Sequence, residues 1–447
     1  MPQPPITVLI IGAGFAGLTA AIECTRHAQR VILLEAAPAL KPLGDIISLG
    51  HNAGRIIQRW DGGRVARELA PLCHRSSGMA VRSADGELLV HQEWADSDAA
   101  FAKGDGEKFN GHRAEIHEVL WRHARRVGVD VRLGCRVERY FESADGAGVV
   151  LAGSGEKVTA DVVLAADGVR STARTAVLGY EDRPKSSGYA IWRAWFSAEE
   201  LAKEPLTRHL VVDGDRHEAW IGPDVHFIAA SLKGGKDFSW VCTHKDTTDV
   251  KESWSAPGSI DEALAVLANW DPVVRAIVRL TPPARLVDWK LVYRDPLPTW
   301  VSPGRRIALL GDAAHPFLPT SIQGASQAME DGATLAVCLE LAGTAGTAGT
   351  GAAEGTRARN GVPEALRAYE RIRYERVRRA QKTGESTRDR WHKADVEQVR
   401  RDPDAVKLPR EEWLLGHDAE AHAYAVYGET VEQLRREDEV EVKRSVL

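Results

Sequence analysis

Ile6-Thr7-Val8-Leu9-Ile10-Ile11-Gly12-Ala13-Gly14-Phe15-Ala16-Gly17 is the stretch whose reading decides how this chain folds. Thr7 to Ile11 is an unbroken β-branched and aliphatic run, the composition of a strand covered on both faces. It passes directly into Gly-x-Gly-x-x-Gly. Gly12 permits the tight turn, Gly14 lets the backbone approach a pyrophosphate, and Gly17 lets the following helix pack closely on the strand. Leu18 to Arg26 is Ala-rich and reads as that helix, and Val31 to Leu34 as a second strand, parallel to the first because a helix connects them. The helix start presents free N–H groups and the positive end of its dipole to phosphates. Glu35, closing the second strand, can accept both hydroxyls of a ribose. The unit predicts dinucleotide binding and leaves open which dinucleotide is bound.

Working outward, residues 113–126 have Ile116, Leu120 and Ala124 at helical spacing, and Val129 to Leu133 follows as a strand. Val158 to Ala165 reads as one further buried strand, ending at Asp167-Gly168. From 188 to 245 the pattern changes. Ala190–Phe196, His209–Val212, Ala219–Ile221, Phe227–Leu232 and Phe238–Cys242 are apolar runs separated by Gly, Asp and Lys turns, which predicts an inserted antiparallel sheet. Asp261 to Asn269 reads as a short helix. Arg306 to Leu310 returns to the buried-strand pattern, and a long helix is expected from about Gly324 to Leu341. The Ala-Gly-Thr repeats over 342–350 read as a surface loop. Pro363 is expected to open a charged helix to about Arg379, whose alternating Arg and Glu suggest a solvated face.

The chain has 447 residues, with Lys plus Arg 58 against Asp plus Glu 63, a formal charge of −5. That balance argues against a nucleic-acid binder, which would carry a basic excess. The cysteines Cys24, Cys73, Cys135, Cys242 and Cys338 are scattered and form no CxxC pair, which fits a reducing cytosol rather than a disulfide framework. The apolar start lacks a basic flank and reads as strand rather than signal peptide, and no apolar run approaches bilayer-spanning length. His51, His226 and His315 lack paired ligand spacing, so no metal site is expected. No Gly-x-Ser-x-Gly or Cys–His signature marks a nucleophile. Most of the 13 tryptophans are expected in core or interdomain packing, with some available to line a pocket for a flat ligand.

Further segments carry a resemblance. They are Ala165-Ala166-Asp167-Gly168-Val169-Arg170-Ser171, Gly311-Asp312-Ala313-Ala314-His315-Pro316 and Gln323-Gly324-Ala325. With them stand His112-Arg113-Ala114-Glu115, Trp220-Ile221-Gly222-Pro223-Asp224 and Asp288-Trp289-Lys290 leading to Pro296-Leu297-Pro298-Thr299-Trp300. Trp413-Leu414-Leu415-Gly416-His417-Asp418-Ala419-Glu420 comes last. In this order they resemble the motifs of the group A flavoprotein monooxygenases, the family of p-hydroxybenzoate and salicylate hydroxylases. The resemblance implies an α/β fold: a Rossmann-like FAD-binding domain (residues 1–75, 105–178 and 288–362), an inserted, mostly antiparallel β-sheet substrate domain (76–104 and 179–287), and a C-terminal helical segment (363–447). It implies FAD as cofactor, NAD(P)H as reductant and O₂ as co-substrate, with one oxygen atom passing from the flavin C4a position to an aromatic, phenolic or salicylate-like, small molecule.

It also implies residue roles. Gly12, Gly14, Ala16, Gly17, Glu35 and Val137 would hold the dinucleotide. Asp312 would accept a ribityl hydroxyl, its alternative being a helix N-cap. Gly324 and Ala325 would offer N–H groups to the flavin N1–C2=O edge. Arg113 would reach the pyrophosphate, its alternative being an exposed helix arginine. Asp167 would lie between flavin and nicotinamide functions, or simply close a strand. Arg193 stands where related fungal enzymes place an arginine near substrate, and could equally be a sheet arginine paired with a carboxylate. Ala229-Ala230-Ser231 carries no tyrosine where some relatives have one, which puts a Tyr–Arg phenolate pair in doubt. Asp45, in Gly44-Asp45-Ile46, replaces a small residue near the ribityl chain. A single Gly-x-Gly-x-x-Gly unit argues against a second, nicotinamide-binding Rossmann domain, and there is no Trp-x-Trp-x-Ile-Pro halogenase segment. An epoxidase or hydroxylase acting on an indole or polyketide, and a flavin-binding protein without turnover, remain as alternatives.

Overall fold

A computed structural model describes residues 5–40, 44–94, 106–246, 256–344 and 354–445. Its first sheet places the strands in the order Ile307–Leu309, Val162–Ala165, Thr7–Ile11, Arg30–Leu34, Asp130–Arg132. Every neighbouring pair is parallel. Val8, Leu9, Ile10, Leu33 and Leu164 are fully buried, as strands with helices on both faces require. Phe15–Arg26, Arg113–Arg126 and Gly324–Thr344 supply helical cover. This topology brings Gly12, Glu35, Asp167 and Asp312, far apart in sequence, to the carboxyl ends of adjacent strands, where parallel α/β sheets bind ligands.

The run Val158 to Ala165 is not one strand. Lys157–Ala160 lies in a three-stranded antiparallel sheet with Ala147–Leu151 and Val137–Glu142, while Val162–Ala165 enters the parallel sheet. Asp161 makes the switch. Its carboxylate accepts from the Thr7 N–H at 2.8 Å, and its own N–H donates to the Thr7 carbonyl at 3.0 Å. Hydrophobicity alone does not show which partner an apolar run pairs with.

The second sheet has eight strands in the order Ala256–Pro257, Val287–Tyr293, Lys185–Ser197, Asp237–Lys245, Val225–Leu232, His217–Gly222, Gly78–Ser83, Leu88–Glu93. It is antiparallel except where Gly78–Ser83 runs parallel to His217–Gly222. The expected boundary at 288 therefore falls inside Val287–Tyr293, which pairs with Lys185–Ser197. His209–Val212 is not a strand. Arg208–Leu210 forms a 3₁₀ turn because the N–H groups of Leu210 and Val211 bond back to Thr207 and Arg208. Besides the expected short helix, observed at Ile260–Val266, there is a second at Pro272–Leu280, opened by Asp271, whose side chain accepts from the Val273 N–H. One face of the sheet buries Trp192, Phe196, Trp220, Phe227 and Trp240 against these two helices. The opposite face carries Arg193.

The charged helix runs from Glu354 to His392 with Pro363 inside it, so it begins before the expected proline and extends beyond Arg379. Ala380, Thr387 and Trp391 are buried and carry it onward. The helix before it closes at Thr344, taking up Ala342 to Thr344; the rest of the expected Ala-Gly-Thr loop lies outside the described residues. No helix among the described residues is long and apolar enough to cross a membrane, and the five cysteines are free thiols.

Candidate active site

The glycine turn has the geometry its spacing asks for. Gly12 has φ +98°, and a Cβ there would stand 2.5 Å from the Ala166 carbonyl oxygen. A Cβ on Gly17 would stand 1.9 Å from the Gly12 carbonyl oxygen, while one on Gly14 would meet nothing within 4 Å. Two glycines are thus needed by the protein itself, and the third faces open space. The helix Phe15–Arg26 starts from Gly14 without a side-chain cap or an acidic residue in its first turn, so its leading N–H groups remain available to an anion. Ala16 lies in that first turn, buried beneath Gly311. Glu35 accepts from the Ala13 N–H at 2.9 Å and the Ala37 N–H at 2.8 Å. Those bonds aim its carboxylate beside the turn and leave lone pairs for a ribose. Val137, half-buried, begins its strand two residues after Cys135, whose N–H donates to the Glu35 carbonyl at 2.8 Å.

Across the turn, Asp167 accepts from the Tyr140 hydroxyl at 2.9 Å and the Thr172 N–H at 3.1 Å, while its other carboxylate oxygen is buried without a partner. Arg174, which sequence reading missed, is 2% exposed and ties two motifs together. It donates to the carbonyls of Val169 at 2.6 Å, Asp312 at 2.6 Å and Ala313 at 2.8 Å. Burial and the neighbouring Arg294 hold its pKa down, to about 10. The Asp312 carboxylate caps no helix; it sits in the 3₁₀ turn Gly311–Ala313, and burial pushes its pKa up against the pull of His315 and Arg113.

Arg113 is not an exposed helix arginine. It opens Arg113–Arg126, where the helix dipole disfavours a cation, and packs over the Phe15 ring at 5.7 Å. Burial lowers its pKa, opposed by the carboxylates of Asp45 and Asp312. The loop beside it is tight, since a Cβ on Gly44, at φ +140°, would stand 2.7 Å from the Arg113 Cβ. Asp45 meets Arg193 across the two units, with N–O distances of 3.3 and 3.4 Å. Arg193 also lies over the Trp289 ring at 5.3 Å. Trp195, on the same face as Arg193, meets the His112 ring edge-on at 4.6 Å, while Trp192 stacks on His244 on the other face. Strand register puts Val241 and Ile228 in line with Arg193 across the sheet, and both remain partly exposed. The result is an apolar and aromatic floor with one guanidinium and one carboxylate at its edge.

The long charged helix contradicts the expected solvated face. Arg373 and Arg376 turn inward onto Glu330 and Asp331 of Gly324–Thr344, which places a buried ionic cluster behind that helix's N-terminus. Alternating Arg and Glu looks alike in sequence whether the opposite charges come from solvent or from a neighbouring helix. His315 bonds Asp331 at 2.6 Å, His51 bonds the Gly106 carbonyl at 2.6 Å, and His226 bonds His392 at 2.7 Å. Among the described residues no group of three or more His, Cys, Asp or Glu is placed to hold a metal.

Fold and site together define a dinucleotide-binding flavoprotein with a second sheet packed against the dinucleotide-binding unit. The family model for an FAD binding domain matches residues 5–365. Asperlicin C monooxygenase of Petromyces alliaceus is 36% identical over 441 residues, covering 97% of this chain and 91% of that protein. Notoamide E oxidase of Aspergillus versicolor is 33% identical over 435 residues, covering 96% and 90%. The crystal structure of CtdE with FAD and substrate superposes with a TM-score of 0.85 at 34% identity, covering 96% of this chain and all of that one. A salicylate hydroxylase substrate complex superposes with a TM-score of 0.73 at 26% identity, covering 94% and 98%. The chain belongs to the group A flavoprotein monooxygenases, and it is an FAD-dependent oxidoreductase.

Proposed function

We propose that this monooxygenase takes electrons from NAD(P)H and oxygenates a neutral, electron-rich heteroaromatic small molecule held on the face of the second sheet. The Gly12–Gly17 turn and the helix start behind it would hold the FAD pyrophosphate together with Arg113; Glu35 and Val137 would hold the adenosine end. Asp312 would take a ribityl hydroxyl, and the N–H groups of Gly324 and Ala325 would serve the flavin N1–C2=O edge. Bound FAD supplies two-electron reduction and the activation of O₂. The chain's own residues orient the substrate, exclude water and stabilise developing charge. The parts follow the sheets: a discontinuous FAD unit, an inserted substrate unit that includes Val287–Tyr293, and a C-terminal helical segment.

The observation that carries the substrate class is the Asp45–Arg193 pair. An arginine meant to hold a phenolate would need its charge free, yet here a carboxylate already answers it. The segment 229–231 supplies no tyrosine to share such a phenolate. A neutral ring seated on Trp289, Trp195 and Val241, accepting a hydrogen bond from Arg193, suits this arrangement better. Two relatives named for a small molecule, asperlicin C monooxygenase and notoamide E oxidase, support a small-molecule metabolite as the substrate. A phenol or salicylate is the second reading, favoured by the cation itself. A panel of indoles, other neutral heteroaromatics, phenols and salicylates, read by anaerobic flavin reduction with NADH and NADPH and by product analysis, tests both. Coupled turnover confined to the phenolates would reject the first reading.

A further inference from the structure

Glu330 and Asp331 are fully buried two turns into Gly324–Thr344, about 9 Å along the axis from its start. Two carboxylates there oppose the positive end of the helix, the end assigned above to the flavin N1–C2=O edge. The opposite helix answers both. Arg376 bonds Glu330 at 2.7 and 2.8 Å, and Arg373 bonds Asp331 at 2.8 Å and reaches Glu330 as well. Asn52 donates to Glu330 at 2.6 Å, and Gln327 donates to Glu330 while accepting from Arg373. Asp331 accepts from the Gly311 N–H at 3.0 Å, which ties the cluster to the loop carrying Asp312. Burial alone would push the Glu330 carboxyl up, but Arg376 and Arg373 hold it well below the usual range. Arg376 also donates to the carbonyls of Trp413 at 2.5 Å and Leu414 at 2.9 Å. Buried ion pairs rarely repay their desolvation in stability, so a cluster this complete calls for another account.

We infer that Arg373 and Arg376 are positioning residues for the flavin. They cancel Glu330 and Asp331, so that the start of Gly324–Thr344 keeps a net positive field toward the N1–C2=O edge and favours the reduced, negatively charged flavin. The inference rests on the proposed placement of that edge at Gly324 and Ala325. In it, the charge of Arg376 matters more than its grip on the 413–414 carbonyls.

Midpoint potentials of the FAD-loaded protein, measured by anaerobic dye-coupled titration, test this. Glu330→Gln leaves the arginines in excess and tightens binding of reduced relative to oxidised flavin about tenfold, a positive shift near 30 mV for a two-electron couple. Arg376→Met shifts the potential about as far the other way, Arg376→Lys falls between, and the Glu330→Gln/Arg376→Met double variant returns close to wild type. Potentials unmoved in both single variants, shifts of the same sign, or a double variant no nearer wild type than Arg376→Met each overturn the inference. Should Arg376→Met fail to fold, the sign of the Glu330→Gln shift decides. Ala325→Pro removes one N–H at a position where a helix tolerates proline. If its potential equals wild type, the placement of the flavin edge is wrong; if it shifts while Glu330→Gln and Arg376→Met do not, only the charge compensation is wrong.

Discussion

Arg193 of the second sheet lies 3.3 Å from the carboxylate of Asp45, a residue 148 positions earlier in the chain and beside the cofactor-binding loops. This contact joins the two sheet units, and under the proposed function it lies where substrate and flavin would meet. It makes Arg193 a sheet arginine with a carboxylate partner, and the proposed function keeps the substrate-side reading beside it.

Arg193→Met should retain FAD and lose coupled product formation by about 10²-fold, the scale for removing one preorganised donor from a site. Arg193→Lys keeps the charge without the planar fork and should fall between. Product and H₂O₂ measured against NAD(P)H consumed check this, and equal coupling in the Met variant and wild type would leave Arg193 with a structural role only.

Asp45→Asn should release the guanidinium. The ratio of KM values for phenolate and neutral-ring substrates should then fall severalfold, with FAD content unchanged. A ratio equal to wild type would mean that Asp45 does not set the charge preference.

Gly14→Ala and Gly17→Ala should part ways. A methyl on Gly14 enters open space, so apoprotein Tm should hold while FAD affinity drops. A methyl on Gly17 meets the Gly12 carbonyl at 1.9 Å, and folding itself should suffer. Thermal melts with and without FAD separate the two, and a Gly14→Ala apoprotein as unstable as Gly17→Ala would disprove the assignment.

Glu35→Ala should weaken FAD binding by roughly 1.5–3 kcal/mol, the range for charge-assisted bonds. Because Glu35 also accepts from the Ala13 and Ala37 N–H groups, a small loss of apoprotein stability should accompany it. Fluorescence titration of the apoprotein with FAD reads the affinity directly; an unchanged Kd would remove Glu35 from the cofactor site.

His226 and His392 are buried and share a hydrogen bond. Burial, then the neighbouring charge of His392 and Arg388 for the first and of Arg388 for the second, holds both pKa values well below the ordinary histidine range. The unfolded chain therefore binds more protons below about pH 6.5. The stabilisation is complete above that pH and is lost as pH falls toward the folded values, roughly 2 kcal/mol per histidine by pH 5. His226→Gln should show a smaller drop in Tm from pH 7 to pH 5 than wild type; parallel curves would rule the pair out as an acid-sensitive element.

Much of the FAD unit was legible because its constraints are contiguous. A strand, a glycine turn and a helix occupy residues 7–26; Gly17 is held to the Gly12 carbonyl of the same turn and Gly14 faces open space, and only the approach of Gly12 to Ala166 is long-range. The helices Arg113–Arg126 and Gly324–Thr344 were equally open to reading, since hydrophobic period and length are local properties. The split at Asp161 and the turn at Arg208–Leu210 were not, because an apolar run looks the same whether it pairs in one sheet, in two or in none.

The sequence by itself determined the dinucleotide turn, the carboxylate at Glu35 and the alternation that sets Arg193 and Trp195 against Trp192, all of which follow from backbone sterics and short-range periodicity. Only the tertiary structure decided that Asp45 would answer Arg193, that Arg174 would clamp the carbonyls of Val169 and Asp312, and that Arg373 and Arg376 would leave a seemingly solvated helix face for buried Glu330 and Asp331. The physical reason is that a charge takes its meaning from its neighbours within a few ångströms. Those neighbours are chosen by packing between distant segments, a relation that residue spacing along one chain does not encode.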